Sequence, residues 1–254
     1  MSNRFAAVRA AAALRSRWLV AWSAQDERAR RTWWRTLLGG AVVLPLFTIA
    51  LVAAGNAAVG SGALAWEQAW LERLVASEFS FSSAVWFQTL GSDITLAILL
   101  TSGAIIALVV NCRPMLALAL PLAWLGVDLV VRLGWAVWAR DRPDLVFGGD
   151  AAPGFHAFPS GHAGKTAASY GLLCWLWLRA SGSWIERAVA LGAFAFVAVI
   201  VPVGRMRMGA HWPSDVVAGS LIGLAWAAVL ILAMRGENPR EVQEPATPRA
   251  RRPR

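Results

Sequence analysis

Apolar runs of about 20 residues, the length that crosses a bilayer as a helix, recur along the chain between short polar or turn-forming stretches. Six of them predict spans: Leu37 to Val59, the Gly-Ser-Asp of residues 91–93 to Val110, Pro114 to Trp138, His162 to Leu178, Trp184 to Val203, and Pro213 to Met234. The Gly-Ser-Asp reads as a helix cap. Between the first two spans, Trp66, Trp70, Leu71 and Leu74 fall at helical spacing, with Glu67, Glu72 and Arg73 off that face. This predicts one or two helices lying on a membrane surface. The Pro-, Glu- and Arg-rich residues 236–254 read as a disordered tail. The pattern divides the chain into a basic interfacial segment (1–36), a six-helix membrane domain (37–235) and that tail (236–254). The expected fold class is all-α, a six-transmembrane helical bundle.

Composition agrees. The 254 residues are 57% hydrophobic and 15% charged, where a soluble domain carries about 25% charged residues. The net charge of +9 is distributed at the ends, with eight arginines before residue 36 and six after residue 234. Basic ends around an apolar middle follow from the positive-inside rule rather than from a nucleic-acid face, so no nucleic-acid partner is expected. Both termini should be cytoplasmic, with the protein multi-pass in the inner (plasma) membrane. Arg4, Arg9, Arg15 and Arg17 break up every early apolar stretch, which argues against a cleavable signal peptide. Trp18, Trp22, Trp33 and Trp34 suit a helix near headgroups. Cys112 and Cys174 are isolated from each other and give no disulfide or metal framework.

This orientation places Arg113 and Arg179 inside. It leaves Arg140, Arg142, Arg205 and Arg207 outside, in segments 139–161 and 204–212, against the charge bias. Arginine on the wrong side implies a bound anion. Three stretches gather there: Ala-Arg-Asp-Arg-Pro-Asp-Leu (139–145), Phe-Pro-Ser-Gly-His (158–162) and Gly-Arg-Met-Arg-Met-Gly-Ala-His-Trp-Pro-Ser-Asp (204–215). His211 and Asp215 share a helical face, so the carboxylate can hold one ring nitrogen and leave the other as base or nucleophile. Arg142 and Arg205 are forked donors matched to phosphate oxygens. Ser160 and Gly161 lead into a helix N-terminus that favours an anion. His162, in the first turn, is placed to give or take a proton, while His156 reads as a loop residue. The set describes a phosphoryl-transfer site that needs no metal and no cofactor.

Order and spacing resemble the type 2 phosphatidic acid phosphatase superfamily, whose pattern is Lys-x6-Arg-Pro, Pro-Ser-Gly-His and Ser-Arg-x5-His-x3-Asp. Here Pro159, Ser160, Gly161 and His162 complete the second part, Arg205, His211 and Asp215 match the third, and Arg142 and Pro143 the first. Gly204 stands where the family has Ser, and Trp135 where it has Lys. Arg132, one turn earlier, or Lys165, the chain's single lysine, is placed to reach the vacated cation position. The competing expectations are an Arg132–Asp128 pair within one helix and a Lys165 that snorkels to the surface. The resemblance implies that His211 attacks phosphorus, Asp215 orients it, and His162 protonates the leaving oxygen. It implies that Arg142, Arg205, Ser160 and Gly161 bind the phosphate, at headgroup level on the outer side.

The implied partner is a lipid phosphate in the bilayer: undecaprenyl diphosphate, phosphatidic acid, phosphatidylglycerol phosphate or phosphorylated lipid A. The outward site and the Arg-rich, Lys-poor composition lean towards the isoprenoid diphosphate or a glycerophospholipid phosphate. A phosphotransferase with another acceptor and a catalytically inactive lipid-phosphate binder remain as alternatives. A soluble vanadate haloperoxidase is disfavoured by the six apolar runs. Monomer and homodimer are both open, Gly219-x-x-x-Gly223 being either a dimer face or a packing face within the bundle.

Overall fold

The computed structural model describes residues 2–143 and 156–237. Within them every regular element is helical. The long helices are α1 (Ser2–Ser23), α2 (Glu27–Gly60), α5 (Asp93–Val109), α6 (Pro114–Val137), α7 (Gly161–Ala180), α8 (Trp184–Arg207) and α9 (Pro213–Ala233). Two short helices, α3 (Trp66–Val75) and α4 (Phe81–Gln88), fill the interval after α2. The all-α bundle is as expected. The segment 236–254 lies outside the described residues apart from Gly236 and Glu237.

Each start has a local cause. Ser92 accepts from the Thr95 N–H at 3.3 Å and caps α5, and Pro opens both α6 and α9 where its missing donor costs nothing. Glu237 reaches back from beyond α9 to cap α6, accepting from the Met115 and Leu116 N–H groups at 3.2 and 3.4 Å and pairing with Arg113 at 2.9 Å. Two boundaries differ from expectation. The first span begins ten residues early, so residue 36 falls inside α2 and Trp33 is fully buried rather than interfacial. Helix α8 runs four residues past Val203, which puts Gly204, Arg205 and Arg207 on a helix instead of in a loop.

Helix α2 ends, α5 begins, α6 ends, α7 begins, α8 ends and α9 begins at one pole of the bundle, so these six alternate in direction. The other pole holds the start of α2 against Gly236, after α9. Five helical stretches are long and apolar enough to cross a membrane: Glu27–Gly60, Phe81–Val109, Pro114–Val137, Trp184–Arg207 and Pro213–Gly236. Helix α7 is not among them. It sits at the centre, packed on α6, α8 and α9, and buries Ala163, Gly164, Lys165, Thr166, Ala167, Ala168 and Ser169. A helix wrapped by others needs small residues for close approach rather than an apolar coat. The coat lies on the outer helices, where Ile94, Ile98, Ile106, Trp184, Val199 and Val217 are exposed.

The Gly219 and Gly223 pair proves to be internal packing. A Cβ at Gly219 would lie 2.2 Å from the Ser160 carbonyl oxygen, and one at Gly223 would lie 2.1 Å from that of Gly164. The backbones of α7 and α9 therefore touch, and the dimer-face reading of these glycines is overturned.

Candidate active site

At the pole where these helix ends meet, a cavity of about 230 Å³ is lined by Asp93, Asp128, Arg132, Trp135, Arg142, Gly161, His162, Lys165, Arg205 and His211. Residues from four separate stretches of sequence thus converge on one space. His156 does not line it.

The floor is the start of α7. Ser160 is fully buried and caps the helix, its hydroxyl accepting from the Ala163 N–H at 3.4 Å. Its own N–H donates to the Asp215 carbonyl at 3.0 Å, which ties the Pro-Ser-Gly-His turn to α9. The first-turn N–H groups of α7, Gly161 and His162 among them, meet the cavity with the positive end of a helix dipole.

His211 is buried beside this floor, just before α9. Its Nδ1 lies 2.8 Å from the Ala157 carbonyl oxygen. A carbonyl only accepts, so Nδ1 carries the proton and Nε2 is the basic nitrogen of the neutral ring. The expected Asp215 contact is longer, 3.7 Å from Nδ1 to Oδ2. That carboxylate is otherwise engaged: Oδ2 accepts from the Trp212 N–H at 2.7 Å and Oδ1 from Arg140 at 2.5 Å. Orientation of His211 is therefore shared between a backbone carbonyl and a nearby charge, and is not a single His–Asp hydrogen bond.

The two departures from the family pattern have structural reasons. A Cβ at Gly204 would lie 2.9 Å from the Ala84 carbonyl oxygen, so the close approach of α4 to α8 favours glycine there. Trp135 lines the cavity and donates from Nε1 to the Pro159 carbonyl at 3.1 Å, bracing the turn.

Both candidate replacements for that lysine line the cavity, and both face carboxylates. Arg132, largely exposed, pairs with Asp128 at 2.7 Å, as its intrahelical spacing allows. Lys165 does not snorkel to the surface: it is buried and contacts Asp93, with Asp128 3.4 Å away. Asp93 also accepts from the Trp124 indole at 2.9 Å. The rim formed by Asp93 and Asp128 escaped the reading of the sequence, where Asp93 served only as part of a helix cap.

The wrong-side arginines divide as well. Arg142 and Arg205 line the cavity. Arg207 donates to the Phe79 carbonyl at 2.7 Å, and Arg140 is buried in ion pairs with Glu67 and Asp215 at 2.6 and 2.5 Å. Arg140 and Arg207 are thus engaged away from the cavity. In α3 the departure from expectation is Glu67, which is buried beside Leu71, while Trp66 and Trp70 are exposed as a surface helix requires. Tryptophans at i and i+4 on a surface helix suit an interface.

Residues 115–239 match the sequence model of the PAP2 superfamily. That match is to the superfamily whose three motif segments the chain resembles. Among curated proteins it is similar to the lipid A 1-phosphatases of Rhizobium johnstonii and Rhizobium etli, at 31% identity over 133 residues and 45% of this chain in each case. The chain spans about half the length of these relatives, 49% and 52%. Among solved structures it shares its fold with the transmembrane PAP2-type phosphatidylglycerolphosphate phosphatase of Bacillus subtilis. That match has a TM-score of 0.58 and 20% identity, and covers 75% of this chain and 94% of the other.

Proposed function

We propose that the protein is an integral membrane lipid phosphatase that removes a terminal phosphate through a phosphohistidine intermediate. The observation that carries this reading is the convergence of His211, His162, Arg142 and Arg205 on one cavity floored by the Ser160-capped start of α7. Nε2 of His211 attacks phosphorus as the P–O bond to the lipid breaks, and His162 gives its proton to the departing oxygen. His162 then takes a proton from water, whose oxygen attacks phosphorus and breaks the P–N bond, releasing phosphate and restoring His211. Arg142, Arg205 and the Ser160–Gly161 backbone hold the equatorial oxygens, where charge builds. Lys165 supplies the remaining cation, since it is the buried one of the two candidates.

On this reading α7 is the fourth of six spans, the site faces the outer side and both termini are cytoplasmic; the arginine distribution supports it. The substrate placed first is a phosphorylated glycolipid of the lipid A type. The curated relatives act on lipid A, and the rim offers what a sugar next to a phosphate needs: two carboxylate acceptors and the indoles of Trp124 and Trp135. Phosphatidylglycerol phosphate, phosphatidic acid and undecaprenyl diphosphate follow.

The test is phosphate release from these four lipids by purified protein in detergent with EDTA present, beside His211→Ala. Release that survives EDTA and drops at least about 10³-fold in the variant is expected. Release unchanged in the variant would rule out the His211 mechanism, and loss in EDTA would rule out metal independence.

A further inference from the structure

Helix α3 precedes the segment that matches the superfamily, yet it sends one charged side chain into the catalytic pole. Glu67 is 1% exposed. It accepts from the Arg140 guanidinium at 2.6 Å and from the Ser214 N–H, in the first turn of α9, at 2.6 Å. Arg140 is held between the rings of Trp138 and Trp212, at 5.5 and 5.3 Å from their centroids, and donates to Ser214 Oγ at 2.7 Å and to Asp215 at 2.5 Å. Its backbone carbonyl accepts from the Ala157 N–H at 2.9 Å, and the Ala157 carbonyl receives the His211 Nδ1 proton. Arg140 therefore touches both supports of the His211 ring, and Glu67 fixes Arg140.

Charge adds a second reason. Arg140 and Asp215 alone cancel, so a positive charge on His211 would stand uncompensated in a buried setting. With Glu67 the set carries one net negative charge while the ring is neutral, and becomes neutral when the ring is cationic. The other charged or titratable groups on the cavity are Arg142 beyond α6, Arg205 on α8, His162 and Lys165 on α7, Arg132 and Asp128 on α6, and Asp93 on α5, so cations outnumber carboxylates there. The carboxylate from α3 offsets that excess.

We infer that Glu67 is a positioning residue of the reaction, which through Arg140 orients Asp215 and balances the positive charge that His211 acquires. This rests on the phosphatase reading, and the test separates the two. Full-length protein with ¹⁵N-labelled histidine is titrated by NMR in detergent, the chain having three histidines, with His211 assigned by its loss in His211→Asn. In Glu67→Gln the midpoint of His211 falls by about one pH unit while that of His156 stays in place. Under saturating substrate, kcat falls about tenfold at unchanged KM, and Glu67→Asp, which keeps the charge, recovers most of both effects. A folded Glu67→Gln whose His211 midpoint does not move overturns the inference. If Glu67→Gln fails to fold, the double variant Glu67→Gln/Arg140→Met leaves no unpaired guanidinium and keeps the cluster at one negative charge. An unchanged His211 midpoint then supports the inference, and a rise overturns it. Should the unaltered protein release phosphate from no lipid, the phosphatase reading fails, while the titration still decides the role of Glu67.

Discussion

The seam between α7 and α9 and the rim formed by α5 and α6 border the same cavity, and they are built in opposite ways. At the seam, backbones meet: Gly219 lies against Ser160, the Ser160 N–H bonds the Asp215 carbonyl, and Ala157 holds His211. At the rim, long side chains meet: Lys165 and Arg132 share Asp93 and Asp128, and Asp93 and Arg132 are more than half exposed. Backbone contacts leave no rotamers to sort and no alternative partners. Exposed ion pairs exchange partners readily and contribute little to stability. On the proposed reading, His211 and the helix start that floors the site are fixed by the seam, while the rim holds Lys165 and Arg132 through side-chain ion pairs.

Three substitutions sharpen this contrast. The largest effect belongs to Gly219→Val, which drives a branched side chain into the Ser160 backbone, an obstacle that cannot rotate away. Folded protein should be lost, read as aggregation in size-exclusion chromatography after extraction. A well-folded Gly219→Val would show that the seam yields. Next comes Lys165→Met, which keeps the length of the side chain and removes its charge. The fold should persist and kcat/KM should fall about tenfold, as for loss of one cation on the transferring group; unchanged kinetics would move the missing cation role elsewhere. The smallest is Arg132→Ala. Because the pair with Asp128 is exposed, thermal stability should change by less than about 1 kcal/mol and kcat by less than about twofold. A larger loss of kcat would bring Arg132 into phosphate binding.

Most of the bundle was legible because lipid-facing helices announce themselves by length and apolarity, and Pro114, Pro213 and Ser92 mark their starts. Motif spacing likewise placed His162, Arg205, His211 and Arg142 on one cavity. What escaped reading depends on partners distant in sequence. Glu67 is buried because Arg140, 73 residues later, meets it, and a charged residue on a short amphipathic helix otherwise reads as exposed. Asp93 served as a cap residue until Lys165 and Trp124 were seen beside it. Gly204 looked like a loosened motif, whereas it admits α4.

Helix α7 has a consequence for how the protein is made. It carries the floor of the site, is packed between α6, α8 and α9, and is not among the stretches apolar enough to cross a membrane by themselves. On leaving the ribosome such a segment gains little by entering the bilayer alone. It would be retained there in company with α6 and α8, which shield its Lys165, Thr166 and Ser169. Membrane integration and assembly of the catalytic floor then become a single event, and a nascent chain that stalls before α9 exposes that helix to quality control.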